Sequence, residues 1–192
     1  MISAEHQRNI MVFEKEFFPQ INALYNFAYH LTFSEEDSND LVQETYLKAY
    51  KNIDKYEKGT NAKAWLFRIL KNAFINEYRK KVNRPKKVDF DDIVKYQDGE
   101  SEQLLYEDFR QEIYQNLIGD EVTSAVNALG IEFRTVILLC DVEGFTYEEI
   151  AKIVDIPIGT VRSRLHRARN MLKKRLYQYA HKIGYKDKRS SG

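Results

Sequence analysis

The sequence predicts an all-α protein built from two small helical domains. Gly and Pro number only eight and three among 192 residues, and apolar residues recur at the helical spacings of three and four. Charge is also segregated: residues 159–192 contain eleven Lys or Arg and one Asp, whereas residues 88–121 contain eleven Asp or Glu and two basic residues. The overall net charge of +1 therefore conceals a strongly basic C-terminal end suited to an anionic partner.

Four helices are expected before residue 82, at about 12–18, 19–31, 35–53 and 62–81. Pro19 suits the first turn of the second helix, where its missing N–H is not needed. Ser34 is the expected N-cap of the third, with Asp37 in the capping-box position. A polar loop with Gly59 separates the third helix from the fourth.

The stretch from Val82 to Ser101 contains Pro85, Gly99 and many acidic residues, a composition typical of a linker. The expected organisation is an N-terminal domain over residues 1–82, a flexible acidic linker over 83–101, a C-terminal helical domain over 102–182 and a basic tail over 183–192.

The segment from 146 to 169 carries the pattern of a helix-turn-helix. Thr146 is a candidate N-cap with Glu149 three residues later, which predicts a helix starting there. Asp155 tolerates a left-handed conformation and Pro157 disfavours helix at the residue before it, so a turn is expected between them. Gly159 or Thr160 can cap the second helix.

The second helix of this pair has the composition of a DNA-recognition helix. Val161, Leu165 and Ala168 should face inward. The remaining surface carries Arg162, Ser163, His166, Arg167 and Arg169. Arg and Ser near the N-terminal half of such a helix can reach guanine edges or phosphates in the major groove. The alternative is an ordinary helical hairpin with a solvated basic face.

The fourth helix has two faces. Apolar residues from Leu66 to Phe74 occupy one half of its circumference, and a polar stripe on the other side consists of Arg68, Asn72, Asn76 and Arg79. Amides can hydrogen-bond base edges and arginines can hold phosphates. Tyr56 and Trp65 can stack on unpaired bases, although packing in the core is the competing fate.

Several functions are disfavoured by the sequence. The four histidines lack metal-ligand spacing, and no phosphate-binding glycine loop or nucleophile beside a base occurs, so neither a metal, a cofactor nor catalysis is expected. Cys140 is the single cysteine and is expected in the core. Without a membrane-length apolar run or a signal peptide, a cytoplasmic protein with no membrane insertion is expected.

Two blocks of sequence resemble the sigma-70 family of bacterial RNA polymerase sigma factors, of the compact extracytoplasmic-function (ECF) type. DLVQETYLKAYKNIDKY at 40–56 and AWLFRILKNAFINEYRK at 64–80 resemble its region 2. The stretch from Phe133 to Leu176, which contains the helix-turn-helix, resembles its region 4, so the C-terminal domain should be a winged-helix-like sigma region 4.

The resemblance implies a promoter-specificity subunit whose N-terminal domain melts and reads the minus-ten element. The implied minus-ten residues are Tyr56, Trp65, Arg68, Asn72, Asn76 and Arg79. Tyr56 would lie in the loop that accepts a flipped-out base, with Trp65 beside it. Flipping a base costs a few kcal/mol of stacking, which a stacking aromatic can offset.

The C-terminal domain would read the minus-thirty-five duplex. The implied residues are Arg162, Ser163, His166 and Arg167 near bases, Arg134, Thr146 and Tyr147 near phosphates, and Thr160 beside them. Asp40, Gln43 and Glu44 match the surface that binds the beta-prime clamp helices of core RNA polymerase. The resemblance also implies the beta flap, promoter DNA in duplex and single-stranded form, and an anti-sigma factor as partners.

The main alternative is a free-standing helix-turn-helix regulator that binds duplex DNA as a dimer. Its N-terminal domain would serve dimerisation or sensing, and would have no use for the stripe that holds Asn72 and Asn76.

Overall fold

A computed structural model describes residues 4–81 and 120–182, and every element within these ranges is helical. The N-terminal unit contains α1 (Ala4–Val12), α2 (Ile21–Thr32), α3 (Glu35–Lys51) and α4 (Ala62–Lys81). The C-terminal unit contains α5 (Asp120–Asn127), α6 (Ile131–Ile137), α7 (Tyr147–Val154) and α8 (Ile158–Lys182). The predicted all-α class is confirmed, whereas the predicted linker and tail lie outside the described residues.

The first predicted helix was misplaced, because 12–18 is where the regular α-helix is interrupted. A π-helical turn covers Phe13–Phe17 and a 3-10 turn covers Phe18–Gln20, with Pro19 in the first turn of the latter. The π-helical turn lies in an aromatic cluster, with the ring of Phe13 5.0 Å from that of Phe17 and 5.6 Å from that of Tyr50. The packing of these rings against α3 favours the π-helical turn over a regular α-helix at these residues.

The connection from α2 to α3 follows capping chemistry. Ser34 is extended, at φ −132° and ψ 128°, and its Oγ accepts a hydrogen bond from the N–H of Asp37 at 3.2 Å, which confirms the predicted cap. Phe33 ends α2 in the left-handed region at φ 55°, which is uncommon for a bulky side chain. The guanidinium of Arg134 lies 4.3 Å from the Phe33 ring centre, so a contact from the C-terminal unit accompanies this conformation.

The helix-turn-helix forms as predicted at its first helix and its turn. Thr146 Oγ1 accepts from the Glu149 N–H at 3.2 Å, and a Glu149 carboxylate oxygen accepts from the Thr146 N–H at 2.9 Å, completing a capping box. Asp155 is left-handed at φ 62°. The second helix begins at Ile158, directly after Pro157, so the expected caps at Gly159 and Thr160 instead lie inside its first turn.

The inward face of α8 is confirmed, since Val161, Leu165 and Ala168 are all buried. Cys140 is only partly buried, and it follows the buried Leu138 and Leu139 on a second π-helical turn (Leu138–Val142). No strand accompanies the helix-turn-helix within 120–182, so its likeness to a winged helix is confined to the helices there.

One hydrophobic core runs through both units. In the N-terminal unit α2 packs on α3 and α3 packs on α4, around fully buried residues that include Phe17, Phe27 and Phe67. The core continues into the C-terminal unit, where α4 packs against α7 and the ring of Phe67 lies 5.2 Å from that of Phe145. Across 4–81 and 120–182, none of the helices combines the length and apolar character required to span a membrane.

Candidate nucleic-acid interface

The polar stripe of α4 is exposed, as its periodicity predicts. Leu66, Leu70, Ala73 and Phe74 are buried on the opposite face. Arg68, Asn72 and Asn76 are exposed at spacings of four residues, so their side chains follow one line along the helix. Arg79 follows Asn76 by three residues in α4, and its side chain lies outside the described part of the structure. The stripe can therefore offer two amides and a guanidinium to a nucleic acid strand.

Tyr56 and Trp65 pack with Phe17 at the start of α4. The Trp65 ring stacks on Phe17 at 5.4 Å, and the Tyr56 ring lies 5.0 Å from Phe17 and 5.2 Å from Trp65. Tyr56 is 6% exposed and Trp65 is partly buried. The Tyr56 ring therefore packs edge-on against Phe17 and at a tilt against Trp65, and a base reaches the buried Tyr56 ring only if the loop before α4 moves.

Glu16 holds that loop in place, a role that no sequence signal indicated. Its carboxylate accepts hydrogen bonds from the Tyr56 hydroxyl and, at 3.2 Å, from the N–H of Gly59, which has φ 82°. The Tyr56 hydroxyl also contacts the carbonyl oxygen of Thr60 at 3.1 Å. Burial, together with the hydrogen bond to Glu16, raises the pKa of Tyr56 to about 12.

The predicted base-contacting residues of α8 are presented to solvent. Arg162, Ser163, His166 and Arg167 are all exposed, and Thr160 is partly buried. Ser163 Oγ donates to the Thr160 carbonyl at 3.0 Å, and His166 Nε2 lies 3.0 Å from the Asn170 amide nitrogen. One side of α8 therefore exposes a cationic face. A recognition helix that enters a major groove requires such an exposed face.

Arg169 is engaged elsewhere, which separates it from that face. Its guanidinium binds Asp141 through two hydrogen bonds, Nη2 to Oδ1 at 2.6 Å and Nε to Oδ2 at 3.2 Å. Asp141 lies on the second π-helical turn, Leu138–Val142. The Arg169–Asp141 pair therefore connects the middle of α8 to that turn. The hydrogen bonds to Asp141 raise the pKa of Arg169.

Of the three residues expected near phosphates, Arg134 is the least accessible. It is 4% exposed, and its Nη1 donates to the carbonyl oxygens of Asn127 and Leu129 at 2.8 and 3.1 Å. Because these bonds hold a guanidinium that is almost fully buried, Arg134 has a structural role in this arrangement. Thr146 is exposed but caps α7, and Tyr147 is partly buried.

The expected polymerase surface lies on α3. Asp40 and Gln43 are exposed, and Glu44 is partly buried and paired with Lys48 at 2.7 Å. Leu47 follows Gln43 by four residues on the same face and is 61% exposed. The exposed face of α3 therefore changes from acidic to apolar along the helix, and charge patterning did not indicate the exposed Leu47.

The two units meet where the loop before α4 reaches the start of α7. Lys63 Nζ lies 2.7 Å from a carboxylate oxygen of Glu143, and the Asn61 amide donates to Glu149 at 2.6 Å. Glu149 has a lowered pKa, chiefly because it accepts the hydrogen bond from the Thr146 backbone N–H. Among the described residues, no group of three or more His, Cys, Asp or Glu is arranged to hold a metal ion.

One helical unit carries an exposed stripe of amide and arginine side chains, and the other carries a helix-turn-helix with an exposed basic face. These features are typical of a DNA-binding protein of two helical modules. Comparison with known families gives the particular class. Residues 21–84 match the family model "Sigma-70 region 2", and residues 119–172 match "Sigma-70, region 4".

Individual relatives agree with these matches. The chain is 35% identical over 159 residues to the ECF RNA polymerase sigma factor SigE of Mycolicibacterium smegmatis, covering 82% of this chain and 58% of SigE. It has the same identity over 159 residues to the ECF factor EcfG of Rhodopseudomonas palustris, covering 81% of that protein. The chain belongs to the sigma-70 family of RNA polymerase sigma factors, and its relatives are of the ECF type.

Solved structures give the same fold. The sigma factor RpoE of Bartonella quintana, crystallised with the anti-sigma factor NepR, is similar with a TM-score of 0.66 and 35% identity, over 86% of this chain and 96% of that one. CnrH in complex with the cytosolic domain of CnrY, at 21% identity and a TM-score of 0.56, is similar in fold.

Proposed function

We propose that the chain is a dissociable promoter-specificity subunit that binds core RNA polymerase, directs it to minus-thirty-five and minus-ten elements and helps to open the duplex. The observation that carries this proposal is the occurrence of both sigma segments, in order, on one chain that exposes an amide stripe and a basic helix face. A dimeric duplex-binding regulator would require only the second of these surfaces.

The N-terminal unit is assigned to the minus-ten element. Asn72 and Asn76 bind base edges of the opened strand, while Arg68 and Arg79 hold its phosphates. Tyr56 and Trp65 receive a flipped-out base once the loop held by Glu16 is released. The energetic cost is the loss of the ring contacts between these aromatics and Phe17, and stacking on the base offsets it.

The C-terminal unit is assigned to the minus-thirty-five duplex. Its base-proximal residues are Arg162, Ser163, His166 and Arg167, and Thr160 lies beside them. Thr146 and Tyr147 at the start of α7 contact the phosphate backbone, which is favoured near a helix N-terminus. Arg134 contacts a phosphate only in a state in which its hydrogen bonds to the carbonyl oxygens of Asn127 and Leu129 are broken.

The proposed partners follow from the two surfaces. Asp40, Gln43 and Glu44 bind the beta-prime clamp helices of the polymerase, and the C-terminal unit binds the beta flap. An anti-sigma factor regulates the chain, as the co-crystal of the Bartonella relative suggests. The chain acts in the cytoplasm without metal or cofactor, and the polymerase supplies the chemistry.

Transcription reconstituted from purified components tests the proposal. Full-length chain is added to core polymerase with a genomic DNA library as template, and we expect discrete transcripts that depend on the chain. Asp40→Lys should weaken core binding, whereas Glu14→Lys, a charge reversal at another exposed position of the N-terminal unit, should leave it unchanged. Absence of both core binding and specific initiation would contradict the proposed function.

A further inference from the structure

The carboxylate of Glu16 lies where the proposed base-accepting loop meets the aromatic ring of Tyr56. We propose that Glu16 is a specificity-determining residue, which holds this loop in the free chain and hydrogen-bonds the exocyclic amine of the flipped-out base once the loop has moved. Its ligand is therefore a base that carries such an amine, and thymine is disfavoured. This inference rests on the proposed function, because it concerns the same loop.

The π-helical turn Phe13–Phe17 places Glu16 at the loop. The next residue on that turn, Phe17, is fully buried, and the rings of Tyr56 and Trp65 both pack against it. Glu16 itself is partly buried, and its carboxylate reaches the hydroxyl end of the Tyr56 ring. An acidic group and the aromatic rings proposed to stack on the base are thus side by side.

The two oxygens of this carboxylate are used differently. Oε2 accepts hydrogen bonds from the Tyr56 hydroxyl and, at 3.2 Å, from the N–H of Gly59. Oε1 accepts no hydrogen bond from the residues that the structure describes. Because both donors on Oε2 belong to the loop, movement of the loop leaves a partly buried carboxylate without either of them. An ionised group that loses its donors in this way requires replacements.

A base that stacks on the Tyr56 ring can supply the replacement donor. Such a base extends about as far as the phenol hydroxyl, so its Watson–Crick edge comes beside the carboxylate, and flipped bases are read through that edge. Cytosine, adenine and guanine each carry an exocyclic amine there, and carboxylates are known to accept from the amine of cytosine. Thymine instead presents one N–H between two carbonyl oxygens, which a carboxylate repels.

A purely structural role for Glu16 makes a different prediction. If the carboxylate only held the loop, its removal would change the affinity for every base by the same factor. If the carboxylate also binds the base, its removal changes the ratio of affinities between bases. Repulsion between the carboxylate and strand phosphates acts on all sequences alike, so it leaves that ratio unaltered. Base preference at one position is therefore the quantity that tests the proposal.

Selection of single strands by the polymerase complex measures this preference. The full-length chain bound to core polymerase is incubated with a random single-stranded DNA library, and the retained strands are sequenced. At one position of the selected motif, we expect thymine to be retained about tenfold less often than the favoured base. Glu16→Gln, whose amide can present either a donor or an acceptor, should bring thymine to within about twofold of that base and leave the other positions unchanged.

Glu14→Gln is the matched control, because Glu14 is exposed on the same π-helical turn, and it should retain the exclusion of thymine. A second measurement changes the DNA and needs no variant of the chain. In the selected strand, the favoured base is replaced by its analogue without the exocyclic amine: 2-pyrimidinone for cytosine, purine for adenine or hypoxanthine for guanine. Binding to the unchanged chain should fall about tenfold, whereas Glu16→Gln should bind the analogue and the parent base to within about twofold.

The proposal is overturned if the unchanged chain accepts thymine at every position, if it binds the amine-free analogue as well as the parent base, or if folded Glu16→Gln still excludes thymine. These results contradict the role of Glu16 in base selection and leave promoter recognition standing. A polymerase complex that retains no strand at all contradicts the proposed function, and the role of Glu16 with it.

Discussion

The N-terminal and C-terminal units hold their proposed reading residues in opposite states. In the C-terminal unit Arg162 and Arg167 lie exposed on a helix whose other face is firmly packed. In the N-terminal unit Tyr56 and Trp65 are packed against Phe17. The difference matches the two substrates, because a duplex already displays its base edges whereas a stacked base must first be extracted. A rigid surface suffices for the first task, and the second requires a pocket that opens.

The largest expected effect would break the aromatic packing of the N-terminal unit. Phe17→Ala should lower the free energy of unfolding by about 3–5 kcal/mol, because Phe17 is fully buried and contacts both Tyr56 and Trp65. Urea unfolding followed by the fluorescence of Trp65, the single tryptophan, measures this loss. Phe18→Ala is the control at a position that is 50% exposed, with an expected loss below about 1 kcal/mol. Equal losses of stability in Phe17→Ala and Phe18→Ala would show that the packing of Phe17 with Tyr56 and Trp65 does not stabilise the N-terminal unit.

The second prediction separates the two units by function. Arg167→Ala should weaken binding to a closed duplex, selected by the chain from a random library, by about 1–3 kcal/mol. Asn72→Ala should leave that affinity unchanged and instead slow strand opening, measured by permanganate reactivity of unpaired thymines in the polymerase complex. If both variants lowered affinity for the closed duplex equally, the division of labour between the units would be wrong.

A smaller effect concerns the cap of the helix-turn-helix. Thr146→Ala removes the side-chain acceptor of the capping box and should cost about 1 kcal/mol, a decrease in melting temperature of about 2–4 °C for a chain of this size. Ser34→Ala removes the corresponding cap of α3 and should cost a similar amount. A clearly larger effect for Thr146 would show that the contact between Asn61 and Glu149 depends on the cap.

The pH dependence of stability should also differ between the units. The folded pKa of Tyr56 is about 12, above the value of 10.0 for the free side chain, so its stabilising contribution is complete below pH 10 and is lost as the pH rises towards 12. Tyr56→Phe should flatten this alkaline decline. The pKa of Glu149 is instead lowered from 4.5, so its contribution is present above that pH and is lost in acid.

Urea midpoints measured from pH 3 to pH 11.5 compare the two variants directly. Tyr56→Phe should alter the alkaline side of the profile and Glu149→Gln the acidic side. Burial also raises the pKa of Tyr46, to about 12, and the pKa of Tyr25, so both contribute to the alkaline slope that remains in Tyr56→Phe. An unchanged alkaline slope in Tyr56→Phe would mean that its hydroxyl is not held as described.

Features determined by near neighbours in sequence were predictable. The Thr146 capping box, the left-handed Asp155 and the two faces of α4 all depend on residues within two helical turns of one another. The π-helical turn at Phe13–Phe17 was not predictable, because it depends on packing against α3. Nor does a left-handed Phe33 follow from local preference, which favours glycine or asparagine there.

The candidate site shows the same limit. The exposure of Asn72 and Arg167 follows from helical periodicity, whereas the burial of Arg134 depends on the carbonyl oxygens that its guanidinium meets. The contact of Lys63 with Glu143 joins residues that are 80 positions apart, and each alone is typical of a solvated surface. Amphipathic patterning carries no information about such a pair.

The length of α8 has a mechanical consequence. Its 25 residues form one continuous rod of about 37 Å, and the hydrogen bonds from Arg169 to Asp141 brace it near its middle. Val161, Leu165 and Ala168 pack the first half into the core, whereas Tyr177 in the second half is 57% exposed. A molecule that binds the second half therefore acts on the whole C-terminal unit through a rigid handle.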